Sequence, residues 1–473
     1  MGLYCLAVNS EFSRDPMKQS LHIVILAAGE GTRMKSSLPK MLQPVGGRPM
    51  LAHLLDTALS MQPEQVHVVV GHGADQVMEA CSTFPVNWVQ QAERKGTGHA
   101  VMQAMPDIPD QAAVLVLLGD HPLIPAALLS QLATDENLPL ALLTMELDDP
   151  TGYGRILRDP GGNIIGVVEH HDATPELHKI REVNTGIILA DAARLRGWLD
   201  RLKCDNARQE YYLPDVFPMA RAESGEVHGV IAPDIHDLQG ANNRRQLAEL
   251  EKRYRQIRAG ELMDKGVHII DPDRVDIRGS VAAGSDVSLD INVVLAGEIR
   301  LGDGVMIGPG CVLTNCDLAA GTCVLPHSVL EGVVTTGGCE IGPFARLRPG
   351  TVLSAGCRVG NFVEIKNARL GVGSKANHLS YLGDAVVGAS VNIGAGTIIC
   401  NYDGANKHQT TIEDNVFIGS DTQLVAPVTV GEGATIGAGS TVTKNAPAGS
   451  LTISRSRQTT IASWKRPRKD EEA

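Results

Sequence analysis

Between Leu26 and Lys40 the chain reads LAAGEGTRM and then, four residues later, PK. Glycines at 29 and 31 let backbone amides approach phosphate oxygens, and a following helix N-terminus adds positive character. Arg33 and Lys40 put two cations around that cradle, which suits charge stabilisation in nucleotidyl transfer. A dinucleotide fingerprint needs a third glycine where Met34 stands, and no GK[ST] marks a Walker loop. The aliphatic run VLVLLGD ends on Gly119-Asp120, a carboxylate that could hold Mg2+ beside substrate phosphate or simply cap a helix. In the second half Arg348, Lys366, His378, Tyr381, Asn392, Asn401 and Tyr402 break into otherwise small and aliphatic sequence. Arg348 offers a planar fork and Lys366 a point charge for a sugar phosphate. His378 can take a proton from an attacking amine. A lone loop histidine is usually structural; here the surrounding polar cluster argues for chemistry.

Two textures must position these residues. In the first half LHIVILAAG, VHVVVGHG and AAVLVLLGD are aliphatic strands separated by helical stretches, an α/β pattern with a mostly parallel, Rossmann-like sheet that binds ligands at the carboxyl ends of its strands. NNRRQLAELEKRYRQIRAGELM, from Asn242, is charged, lacks proline and reads as a linking helix. Beyond it an aliphatic residue recurs at every sixth position: Val275, Val281, Val287, Val293, Ile299 and Val305, then Ile341, Leu347, Leu353, Val359 and Ile365, then Ile412, Ile418, Leu424, Val430, Ile436 and Val442. Neither helix nor strand has that period, whereas a coil with one hexad per flat side does, so a parallel β-helix with these side chains pointing inward is expected. By itself the repeat could also be a scaffold or trimerisation stalk.

The expected organisation is an extension over 1–20, a sheet domain over 21–243, a linker helix over 244–265, the β-helix over 266–456 and a basic tail over 457–473, with Met17 as an alternative start. Fifty glycines and only six phenylalanines suit narrow coils filled by Val, Ile and Ala. A net charge of -12 argues against nucleic acid, so phosphorylated substrates must find local cations. Nine cysteines without a CxxC pair read as free cytosolic thiols. No apolar run reaches the ~18 residues of a membrane helix, and the Leu3–Val8 run is too short for a secretory signal.

LAAGEGTRM with PK downstream resembles the signature of sugar-1-phosphate nucleotidyltransferases. With the polar hexad segments, the likeness extends over nearly the whole chain after Ser20 to the bacterial bifunctional N-acetylglucosamine-1-phosphate uridyltransferases and glucosamine-1-phosphate acetyltransferases, whose β-helix is left-handed. The resemblance implies that Leu26, Ala27, Ala28, Gly29, Lys40, Gln91, Gly96, Thr97, Leu118, Gly119, Asp120, Gly154, Glu169, Asn184 and Asn242 bind UDP-N-acetylglucosamine, and that Asp120 and Asn242 hold Mg2+. Leu118 departs from the family's tyrosine, which leaves a backbone contact there but no aromatic one. It also implies that Arg348, Lys366, Tyr381 and Asn392 bind glucosamine-1-phosphate, and that Ala395, Asn401, Tyr402, Ser420, Ala438 and Arg455 line acetyl-CoA.

By the same likeness His378 is the general base, Arg33 and Lys40 are catalytic cations, an amide near Ala395 or a nearby Asn or Tyr side chain stabilises the oxyanion, and Glu364 is expected to orient or charge-stabilise His378. The implied reactions are acetylation of glucosamine-1-phosphate by acetyl-CoA and then UMP transfer from UTP, in a cytoplasmic homotrimer whose product feeds peptidoglycan and lipopolysaccharide. The alternative is a single-activity nucleotidyltransferase with a structural or regulatory β-helix.

Overall fold

The computed structural model describes residues 19–133, 139–206, 209–224 and 227–466. Most of the expected N-terminal extension, with Cys5 and Met17, and the end of the basic tail lie outside them. The chain divides into two compact units, Met1–Tyr254 and Arg255–Ala473. A helix spans Arg244–Asp264.

The first unit is built on seven strands: β1 (Leu21–Leu26), β2 (Gln65–Val70), β3 (Asn87–Gln90), β4 (Ala113–Leu118), β5 (Leu140–Glu146), β6 (Glu182–Asp191) and β7 (His228–Ile231). Their order across the sheet is β7-β5-β6-β4-β1-β2-β3. β1 runs parallel to β2 and β4, β2 to β3 and β5 to β7, while β6 is antiparallel to both neighbours. Every residue of β1 is buried. Ile23 and Ile25 enter one core and Val24 and Leu26 the other, so the strand reads as an uninterrupted aliphatic run because both of its faces are covered. A hairpin of Arg155–Arg158 and Ile164–Val168 hangs from β6.

The second unit is a parallel β-helix. Val275 pairs with Val293, Val294 with Val312, Val312 with Val329, Arg346 with Glu364 and Glu364 with Tyr381, so most coils take 17 or 18 residues, and the last, from Thr435 to Leu451, takes 16. One step is longer: Asn392 pairs with Phe417, the extra chain forming a loop around 401–408. The hexad aliphatics fill the interior, all buried apart from a half-exposed Val281 packed against the core. Inside the same prism Ser328, Thr351, Thr397, Thr422 and Ser440 each donate a hydroxyl to the carbonyl three residues earlier. Small hydroxyl residues therefore close the corners, where an unpaired buried carbonyl would cost stability. The eight described cysteines are unpaired.

At the amino ends of the sheet strands lies a buried histidine pair. His22 Nδ1 is 3.1 Å from His67 Nε2, and the Asn87 amide reaches both His67 Nδ1 at 3.1 Å and Asp107 at 2.8 Å. A carboxylate only accepts, so the Asn87 NH2 faces it, His67 Nδ1 accepts as well, and its Nε2–H donates to His22. Burial, helped by His22, pushes His67 down to about 4 against the opposing pull of Asp107. The native state then binds fewer protons than the unfolded chain between pH 6.5 and about 4, so stability is full above that window and falls as pH drops through it. The loss should approach roughly 3 kcal/mol from this residue. Urea unfolding followed through buried Trp198 should show the slope, and His67→Leu should flatten it. An equal slope in both proteins would rule the pair out as its source.

Candidate active sites

In the first unit the glycine turn follows β1 and packs tightly. Gly31 has φ 67°, and a Cβ there would lie 2.6 Å from Lys40 Cβ. Gly119 N donates to Leu26 O at 3.0 Å, and a Cβ on Gly119 would approach that oxygen to 3.0 Å. Small residues thus draw the ends of β1 and β4 together and carry Asp120 to the turn. There the Lys40 ammonium, almost fully buried, sits 2.5 Å from Asp120 Oδ2 and 2.7 Å from Asn242 Oδ1. Arg33 Nη2 donates to the same Asn242 oxygen at 3.1 Å. Burial alone would raise the Asp120 carboxyl, but His121 and Lys40 outweigh it and hold it below the ordinary range.

A cavity of about 880 Å³ opens here, lined among others by Arg33, Thr97, Leu118, Asp120, Gly154, Glu169, Asn184 and Asn242. It brings the sugar-contact candidates to the nucleotide turn. Gly154 O accepts from Asn184 N at 2.9 Å, and Asn184 Oδ1 accepts from Gly186 N at 2.9 Å, which fixes the amide at the wall. Gln91 is buried and donates to Gly96 O and toward His99, bracing the loop before Thr97. Leu26 closes β1, and Ala27, Ala28 and Gly29 begin the turn itself. His121 escaped the sequence reading: it is buried against Asp120, and Gly240 leaves its ring room, since a Cβ there would come within 2.6 Å.

In the second unit the coil register builds a column. Asn361 pairs directly with His378. Continuing the pairings of Ala376, Ile393, Ile418 and Ile436 by two residues places Ala395, Ser420 and Ala438 above His378 on successive coils. Arg455 donates to Ala438 O and ends the column. The column is flanked by glycine: a Cβ on Gly394 would lie 2.6 Å from the Gly419 backbone, and one on Gly419 2.5 Å from Ala438 N. His378 Nδ1 lies 3.1 Å from Asn361 Oδ1.

The residue expected to orient His378 does something else. Glu364 lies past the corner in the next strand, and its Oε1 accepts from Arg348 Nη1 at 3.0 Å. The register puts Asn361, not Glu364, opposite the imidazole.

Arg348 and Lys366 stack on adjacent coils of another face, following the Leu347–Ile365 pairing. Lys407 joins them from the 401–408 loop, which is closed by a Tyr402–Lys407 bridge, by the Tyr402 hydroxyl on Gly404 O, and by Asp403 accepting from Ala405 N, Asn406 N and His408 Nε2. Asn401 donates to Asp384, which also takes an Asn367 amide at 2.6 Å. The Lys407 ammonium pulls Lys366 below the ordinary lysine range, loss of water adding to the effect. Tyr381 follows the corner after His378, and Gly383 leaves its hydroxyl room that a Cβ would take up at 2.5 Å. Asn392 pairs with Lys375 in the coil below. Lys407 was missed because the long loop falls outside the hexad phase.

Residues 23–144 match the family model of the MobA-like NTP transferase domain, and 409–444 that of the bacterial transferase hexapeptide repeat. A bifunctional protein GlmU of Alkalilimnicola ehrlichii is 56% identical over 451 residues, 95% of this chain and 97% of that protein. One from Stenotrophomonas maltophilia is 55% identical over 454 residues, 96% and 100%. The chain belongs to the bifunctional GlmU family. Its two textures are accordingly a nucleotidyltransferase unit and a hexapeptide acyltransferase unit of one transferase. Among the described residues no helix is long and apolar enough to cross a membrane.

Three cations gathered on one exposed face invite an anion. Inorganic phosphate should bind there, and Lys407→Met should weaken it roughly tenfold or more by removing a charge-assisted hydrogen bond. Isothermal titration of both proteins measures this; equal affinities would exclude Lys407 from the anion site.

Proposed function

We propose that the chain acetylates glucosamine-1-phosphate with acetyl-CoA in its β-helix unit and transfers UMP from UTP to the resulting N-acetylglucosamine-1-phosphate in its sheet unit. The observation that carries this reading is that each unit has its own phosphate anchor beside its own reactive groups: Arg33 and Lys40 at the glycine turn, and Arg348, Lys366 and Lys407 on the coils that also carry His378. Glucosamine-1-phosphate and N-acetylglucosamine-1-phosphate both carry a 1-phosphate, so two anchors on one chain match two steps.

In the β-helix unit His378 Nε2 accepts a proton from the sugar amine as its nitrogen attacks the thioester carbonyl. The N–C bond forms, the oxyanion is met by backbone donors near Ala395, the C–S bond breaks, and the proton passes to the departing thiolate. The cations hold the 1-phosphate, while Tyr381 and Asn392 contact the sugar. Asn401, Tyr402, Ser420, Ala438 and Arg455 receive acetyl-CoA.

In the sheet unit a phosphate oxygen of N-acetylglucosamine-1-phosphate attacks the α-phosphorus of UTP and pyrophosphate leaves. Arg33 and Lys40 neutralise charge that grows in the transition state. Asp120 Oδ2 and Asn242 Oδ1 converge on one point, now marked by the Lys40 ammonium. Two hard oxygens so placed fit Mg2+, which takes one or two such ligands plus phosphate oxygens and water. When bound, it supplies further neutralisation of the phosphates. Gly154, Glu169 and Asn184 grip the sugar, and the Gln91, Gly96 and Thr97 loop meets the uracil.

The working assembly is a cytoplasmic homotrimer. His327, Phe344 and Phe362 stack ring on ring at one corner of the prism, and Leu379 follows on the next coil. Phe344 is 49% exposed and Phe362 and Leu379 59%, an apolar ridge beside His378 that a second copy would cover. The sheet domain of 21–243 and the β-helix of 266–456 then work as separable units joined by the 244–265 helix.

Two experiments test the reading. Asp120→Asn should cut uridylyl transfer by orders of magnitude and spare acetyl transfer, whereas His378→Ala should lower acetyl transfer ~100- to 10,000-fold and spare uridylyl transfer to pre-acetylated sugar. Loss of both activities in either variant would sink the division of labour. Phe344→Glu with Phe362→Glu should turn a sedimenting trimer into monomers and abolish acetyl transfer alone; an intact trimer would place the interface elsewhere.

A further inference from the structure

We infer that Asn361 is the positioning residue that holds His378 in the tautomer able to act as a base, an inference that rests on the reading of His378 as the acetyl-transfer base. The two residues are paired in register on adjacent coils, with the amide oxygen 3.1 Å from Nδ1. An amide oxygen only accepts, so Nδ1 carries the hydrogen and the Nε2 lone pair is left for the amine proton. Without an acceptor at Nδ1, neutral imidazole favours the opposite form, with its hydrogen on the nitrogen that must receive a proton.

The surroundings make this contact a built one. Leu379 N donates to Asn361 O at 3.1 Å, and the Ser380 hydroxyl donates to His378 O at 2.8 Å, so the backbone is tied on both sides of the imidazole. Gly360 precedes Asn361 where a Cβ would meet Asn377 O at 1.9 Å, so the two coils approach more closely there than any side chain allows. Phe362 and Leu379 both adopt positive φ, 56° and 47°, which turns the chain at the same point in both coils and keeps Asn361 beneath His378. The carboxylate nearby in sequence, Glu364, is engaged by Arg348. A neutral acceptor orients the ring without adding a negative charge that would favour imidazolium before the amine arrives.

The test uses the full chain with Asn361→Leu, Asn361→Asp and His378→Ala, and uridylyl transfer as the check on folding. Asn361→Leu should lower kcat for acetyl transfer about 100-fold, within the range of a positioned base, with KM for glucosamine-1-phosphate unchanged. Imidazole 15N NMR should show His378 moving from the Nδ1–H to the Nε2–H form. Asn361→Asp, which still accepts at Nδ1, should restore the Nδ1–H form and most of kcat. Full turnover in Asn361→Leu beside an inactive His378→Ala would overturn this inference alone. A loss of kcat with the Nδ1–H form retained would also overturn it, by showing a merely structural role. Normal acetyl transfer in His378→Ala would overturn the base and this inference together.

Discussion

Each coil of the β-helix unit hydrogen-bonds to the next through its peptide groups, which forces residues 17 or 18 positions apart, or 25 across the 401–408 loop, to lie above one another at about 4.8 Å. The column above His378 follows from this spacing. Valine stacks on valine to make the interior, and by the same rule Asn361, His378, Ala395, Ser420 and Ala438 stack to make a rail along one corner. A ligand lying along the prism would meet His378 and a row of small residues in turn. The register needs no bulky scaffold, because the ladder that holds the fold also sets the distances between reactive groups.

The sheet unit uses parallel strands differently. Its strands end together; Gly119 lets the turn after β4 pack against the end of β1, and Gly31 leaves room for the Lys40 side chain, where a Cβ would collide. The result is a nearly buried Lys40 against Asp120 and Asn242. A buried ion pair contributes little net stability once desolvation is counted, and removing one partner strands the other. The second unit shows the complementary arrangement: Lys366 and Lys407 are brought together against their own repulsion by a loop that Asp403 pins through three hydrogen bonds. In both places the fold holds charge where an anionic substrate would neutralise it.

The hexad period of Val275 to Val442, the aliphatic runs ending at Leu26 and Leu118, and the motif from Leu26 to Lys40 are local, and local pattern is what sequence records. Hence the two architectures were legible before the tertiary structure, since a strict period has few physical explanations, and the glycine turn and the polar segment around His378 could be named from the chain alone. Other features depend on what lies opposite what. Glu364 is only fourteen residues from His378 and negatively charged, so it looked like the orienting group, yet a corner separates them and Arg348 takes its carboxylate. Asn361 was overlooked although it sits one coil before the histidine, because the phase slips between Ile365 and Leu370 and pairing across that slip cannot be counted without the strand register. His121 likewise carried no motif; burial against Asp120 and the space left by Gly240 exist only in three dimensions. Lys407 joins Lys366 through a loop whose length the hexad rule does not describe. By itself, then, the sequence determined the two architectures and the candidate residues for chemistry, because backbone periodicity and side-chain character are properties of the chain. The tertiary structure alone decided which of those residues face one another, because contact across coils and strand ends is set by hydrogen-bond register and by the room that glycine leaves.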